Sequence, residues 1–153
     1  MKKYRYLVMI FAVLILSGCS KEEQTKEITE ILYTTSSFGV ITQAVKVDMD
    51  DATKKIFINP EYSKGGAPRE IGDIPEHDFE MHEICEVRKF EKEINKTGIF
   101  NWKEKYVNKN IMDGYQWSLA INYKDGQSKS MYGSNDKPKK YDELISVLFD
   151  TEK

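Results

Sequence analysis

At 153 residues, with 40% hydrophobic and 31% charged side chains and a formal charge of -2, the chain suits one packed domain. Its mean hydropathy of -0.58 excludes both a polytopic membrane protein and a disordered one. Without a basic surplus there is no footing for nucleic acid as a partner, because phosphate binding requires one.

The hydrophobic residues are unevenly spread. Lys2, Lys3 and Arg5 precede an uninterrupted apolar run from Leu7 to Leu16, and Ser17 and Gly18 then lead to Cys19. Ten residues extend only about 15 Å as a helix, half of the ~30 Å hydrocarbon core, so the run is too short to span. Its basic, apolar and small-residue regions are those of a signal peptide.

Leu16-Ser17-Gly18-Cys19 resembles the lipobox of bacterial lipoproteins, matched at every position over residues 1–19. The resemblance implies that the Cys19 thiol receives a diacylglycerol and that cleavage before Cys19 makes it the new N-terminus. It further implies acylation with palmitate-type chains and residence on the extracytoplasmic face of the cell membrane. Two long chains anchor stably where one would be marginal.

Loss of residues 1–18 leaves 135 residues and removes Lys2, Lys3 and Arg5, so 20 basic side chains face 25 acidic ones and the charge becomes -5. An acidic body is repelled by anionic lipid, so anchoring falls to the acyl chains. With Cys19 lipidated, Cys85 is the remaining thiol and no intramolecular disulfide can form.

Three segments follow: 1–18 as the cleaved signal, 19–30 as lipidated cysteine and tether, and 31–153 as one domain. The tether reading rests on the polar run Ser20 to Glu30, and ordered structure is expected to begin near Ile28 to Leu32. Ile31 to Thr35 is β-rich, Val45, Val47 and Met49 alternate with polar residues, and Lys54 to Ile58 returns after a polar turn. Pro60 to Pro75 is a loop rich in proline and glycine. From Glu76 to Lys96 the spacing of Phe79, Ile84, Val87, Phe90 and Ile94 predicts one helix, with Gly98 just past its end.

Trp117, Leu119, Ile121 and Tyr123 alternate in a strand that ends at Asp125-Gly126, a two-residue turn signal. That loop pairs Lys124 with Gln127 and puts Ser128, Ser130 and Tyr132 on the Trp117 face. Lys140 to Phe149 reads as a terminal helix, with Tyr141, Leu144, Ile145 and Leu148 at core spacing. The order β-β-β-α-β-β-α predicts an α+β fold, a mostly antiparallel sheet with two helices on one face. Over Trp102 to Phe149, Trp102 and Tyr106, Asp113 to Trp117, Tyr123 to Gly126, Gly133 to Asn135 and Pro138 together resemble small surface lipoproteins of Gram-positive bacteria. That resemblance implies a fold type and no activity.

Three constellations invite a chemical reading. His82 stands three residues before Cys85, so a helix would make them neighbours and the imidazole could activate the thiol. Two such residues are too few for a zinc site. Asp48, Asp50 and Asp51 gather at a turn, but lack the glycine and distal glutamate of a calcium loop. The aromatics Trp102, Tyr106, Tyr115, Trp117, Tyr123 and Tyr132 could form a platform for sugar or peptide. Alternation assigns Trp117 and Tyr123 to the core and leaves Tyr106 and Tyr115 as the surface members and candidate ligand contacts.

No catalytic set, metal site or cofactor motif emerges from the sequence. The leading expectation is therefore a lipid-anchored domain that binds a protein or cell-envelope component. The alternatives are an inhibitor or protective module inserting the Pro60 to Pro75 loop into an extracellular enzyme, and a thiol-dependent enzyme using Cys85 and His82.

Overall fold

The computed structural model describes residues 26–111 and 114–151. The expected signal peptide, Cys19 and the first part of the expected tether lie outside the described residues, as does Asp113. Seven strands form one sheet: β1 (Ile28–Ser37), β2 (Val40–Asp48), β3 (Thr53–Ile58), β4 (Glu80–Glu83), β5 (Lys105–Val107), β6 (Tyr115–Tyr123) and β7 (Ser128–Ser134). Their spatial order is β4-β3-β2-β1-β6-β7-β5, antiparallel throughout except for the short β5–β7 pair. Two helices, α1 (Val87–Lys96) and α2 (Tyr141–Phe149), cover one face. The fold is α+β, as expected, but β4 and β5 are strands beyond the expected order β-β-β-α-β-β-α. No helix among the described residues is long and apolar enough to cross a membrane.

Alternation along the strands creates two unlike faces. Ile31 and Tyr33 of β1, Val45 and Val47 of β2, and Leu119 and Ile121 of β6 point toward the helices and are almost fully buried. Ile94 of α1 and Leu144 and Leu148 of α2 close over them. Burying such side chains contributes about 1.5–3 kcal/mol each. The strand β1 starts at Ile28, itself only 6% exposed, so the packed domain begins three residues inside the charged run that reads as tether.

The opposite face is only half covered. Residues 59–79 fold back over β2 and β3, where Ile74 and Phe79 pack on Ile41, Ala44 and Phe57. Polar contacts fasten this segment: Ile41 donates its N–H to the Pro68 carbonyl at 2.8 Å, and Glu76 bridges Lys46 and Lys55 at 3.3 and 3.1 Å. Those two lysines lower the Glu76 carboxyl below its ordinary range. Over β1, β6 and β7 no such covering segment lies among the described residues.

Two expectations fail here, each for a packing reason. The single helix from Glu76 to Lys96 is instead a 3-10 turn at Glu76–Asp78, the edge strand β4 and then α1. Phe79 stands 5.9 Å from Phe57 on one side of the sheet, while Ile84, Val87 and Phe90 pack in the main core on the other. One straight helix cannot deliver both sets. Pairing of Glu80–Glu83 with β3 also satisfies backbone groups that would otherwise form an open edge. Past the helix, Gly98 takes φ +73°, the left-handed conformation its position suggests.

The second correction is the β6–β7 register. Tyr123 accepts from Gly126 N–H at 2.9 Å and donates to the Gln127 carbonyl at 3.0 Å, so the loop holds three residues, Lys124-Asp125-Gly126. Gly126 at φ +80° supplies the left-handed position such a loop requires. The pairs are therefore Leu119 with Met131 and Trp117 with Gly133. A one-residue slip exchanges the faces of a whole strand. Met131, at 2% exposure, enters the core, and Ser128, Ser130 and Tyr132 turn to the other side. Gly133 leaves room for the Trp117 indole: a Cβ there would meet the ring and approach the Asp136 carbonyl to 2.6 Å. Lys129 is carried onto the core face but runs to its margin, donating to the Phe100 carbonyl at 2.7 Å.

Candidate functional site

The open half of the sheet carries a broad concave surface. Three rows of side chains run across β1, β6 and β7: Leu32, Ala120 and Ser130; Thr34, Ser118 and Tyr132; Ser36, Gln116 and Ser134. Apart from Leu32, Tyr132 and Gln116 these are small, so the floor lies low between taller walls. Ile71 and Arg69 of the folded-back segment form one wall, and Tyr132 with Lys105 of β5 forms the other. Two connected hollows of about 490 and 320 Å³ share Thr34, Ser118 and Tyr132.

The chemistry of the groove is hydroxylic and cationic. Thr34 Oγ1 and Ser118 Oγ lie 2.7 Å apart, and the serines at 36, 130 and 134 add further groups that donate and accept. Lys105 Nζ sits 5.1 Å from the Tyr132 ring centroid, and its bond to the Tyr132 hydroxyl raises the ammonium above its ordinary range. Among the described residues the Arg69 guanidinium has neither an ion pair nor a hydrogen bond. Its backbone, in contrast, is held, with Arg69 N–H donating to Asp73 Oδ2 at 3.2 Å. The Asp73 carboxylate thus fixes the loop that presents the arginine. Glu104, on the β5 side, is the one carboxylate lining these hollows.

The sequence-derived candidates lie elsewhere. Tyr106 and Tyr115 both project to the helix-covered face, across the sheet from the groove. Tyr106 accepts the Lys103 N–H at 2.9 Å and packs 5.9 Å from Trp117. Tyr115, 39% exposed, bonds through its hydroxyl to Tyr141. Tyr141 is in turn 2.6 Å from the Tyr33 hydroxyl, so three phenols form a chain reaching inward from the surface. Burial of Tyr141 and Tyr33 holds both phenols protonated well above their ordinary range. Trp102, Trp117 and Tyr123 are core, with 8%, 2% and 7% exposure.

His82 and Cys85 are not neighbours along a helix. His82 lies in β4 opposite Lys54, and Cys85 is exposed in the turn before α1. Both line one small cavity of about 100 Å³, together with Glu83, Glu86, Glu93 and Phe90. His82 Nε2 is buried 3.4 Å from Glu80 Oε1 and makes no hydrogen bond among the described residues. Asp48 is a turn builder: its Oδ1 accepts the N–H groups of Asp50 and Asp51 at 3.0 and 2.9 Å. No group of three potential metal ligands occurs among the described residues. The Pro60 to Pro75 loop is pinned at Pro68, Ile71 and Ile74, and its longest exposed run is 60–67.

The groove escapes the sequence reading because it depends on the hairpin register. With the three-residue loop, Ser118, Ala120, Ser130 and Tyr132 form one patch; with a two-residue loop the β7 members would be buried. The glycine at the third loop position is the signal that identifies it. Comparison with protein-family models, with curated proteins and with solved structures found nothing that matches the chain.

Proposed function

We propose that the chain is a lipid-anchored extracytoplasmic binding domain. Acyl chains on Cys19 hold it at the cell membrane, a short polar tether follows, and the open sheet face takes a component of the cell envelope or a partner protein. The observation that carries this reading is the groove: a concave floor of hydroxyl groups, uncovered among the described residues, with an arginine beside it that no described carboxylate engages. An antiparallel sheet can leave one face to solvent, and here that face is hollowed, lined by hydroxyl groups and flanked by an arginine.

The direction of the chain supports the reading. The tether joins β1 at Ile28, beside the β6–β7 loop, and ten residues of strand carry the chain about 33 Å to Ser37. Ser36, Gln116 and Arg69 therefore stand toward the end of the sheet away from the tether, where a membrane-held domain meets its surroundings.

Anchoring is tested by Cys19→Ala with palmitate labelling and cell fractionation. Label incorporation is expected to fall to background, with the protein released or left as uncleaved precursor. Full membrane retention of a processed, unlabelled protein would sink the anchor.

A further inference from the structure

We infer that the groove between Arg69 and Tyr132 is a binding site for an acidic saccharide, a chain of sugar units bearing carboxylates. The inference deepens the reading of the open face as a binding surface by naming the class of ligand. It rests on three features of the groove: which backbone groups are reachable, what lines the floor, and where the charges stand.

The site lies on the face of the sheet, not at its edge. β1 and β6 are paired on both sides, and β7 is paired with β6 along its length and with β5 over Tyr132–Ser134, so a peptide laid on the face of these strands meets side chains rather than free main-chain groups. What the face offers is side chains: Thr34, Ser36, Ser118, Ser130 and Ser134 as hydroxyls, and Gln116 as an amide. Hydroxyls and amides donate and accept at short range, which matches a ligand dense in hydroxyl groups of its own. Tyr132, 43% exposed at the wall, adds an aromatic surface of the kind that packs against a sugar ring.

The charge at the groove then selects among saccharides. The chain carries a formal charge of -2, yet the two walls of this groove present Arg69 and Lys105. A guanidinium is a planar fork whose parallel donors fit a carboxylate. Arg69 is placed beside the Phe38–Gly39 turn, its Nη1 3.9 Å from where a Gly39 Cβ would stand. A carboxylated sugar lying along the Thr34–Ser118 row meets hydroxyl partners below and this fork at its flank. Glu104 stands at the opposite wall beside Lys105, leaving the Arg69 end as the carboxylate-accepting one.

The test is calorimetric titration of the full chain in detergent with tetragalacturonate, with maltotetraose as the neutral counterpart and tetraglutamate as the acidic peptide. Tetragalacturonate is expected to bind tighter than about 1 mM, at least tenfold more tightly than either comparator. The Arg69→Gln variant is expected to lose about tenfold, and added salt to weaken the parent more than the variant. Because Arg69 is exposed, a thermal melt of the variant should match the parent. Equal or tighter binding of maltotetraose or tetraglutamate, abolished by Ser118→Trp, would overturn the ligand class and leave the groove standing as a binding face. No heat with tetragalacturonate at about 10 mM, or unchanged affinity in Arg69→Gln, would overturn the site.

Discussion

Replacing Trp117 with alanine is expected to destabilise the fold by about 3–5 kcal/mol, read as a lowered midpoint in urea denaturation. The indole is 2% exposed and sits among Tyr141 at 5.1 Å, Tyr106 at 5.9 Å and Trp102 at 6.4 Å. Its Nε1 donates to the Asp136 carbonyl at 2.9 Å, fixing the chain just past β7. Truncation leaves a cavity between the sheet and α2, and leaves that carbonyl without its indole donor. Tyr132→Ala, across the sheet, is expected to cost less than about 1 kcal/mol because that ring is already 43% exposed. Equal costs for the two substitutions would contradict the register that separates the faces.

The second large effect is alkaline. Tyr33 and Tyr141 are 1% and 4% exposed, and burial raises both phenols above their ordinary value near pH 10. The unfolded chain loses these protons as pH passes about 10 while the folded chain retains them, so the unfolded state binds fewer protons. Stability from this source is complete below pH 10 and falls above it, by about 1.4 kcal/mol per pH unit for each tyrosine. Denaturation at pH 9, 10, 11 and 12 should show the decline beginning near 10. Tyr33→Phe removes one of the two protons, so its stability difference from the parent should be constant below pH 10 and narrow above it. A difference that stays constant to pH 12 would contradict the buried phenol chain.

Much of the fold is legible in the residues because local and global signals agree. The alternation of Val45, Val47 and Met49, the period of Leu144, Ile145 and Leu148, and the placement of Gly98 each survive packing. Where they diverge, long-range pairing decides. Phe79 and Ile84 fit one helical stripe, yet their burial on opposite faces of the sheet requires a strand between β3 and α1. In the same way, Asp125-Gly126 fits a two-residue turn, yet Met131 must face Leu119, and that lengthens the loop by one residue.

The candidate site was less legible than the fold for a related reason. Its members are short polar residues from three strands, with Arg69 supplied by a segment nearly 50 residues before β6. None carries a local signature, and only sheet order brings them together. Tyr106 and Tyr115 attract notice by residue type, but both hydroxyls are engaged within the protein and both rings lie on the helix side. The pair His82 and Cys85 depended on a helix that the chain does not form there.

The most direct test places a small diazirine photo-crosslinker at position 130, in the groove, and separately at position 92 on the exposed side of α1, in the full chain produced in intact cells. Ser130 and Lys92 are both exposed, so either label should be tolerated. A carbohydrate-bearing adduct is expected from position 130 and absent from position 92. Matching adducts from the two positions, or none from position 130, would contradict the groove as the surface by which this domain binds.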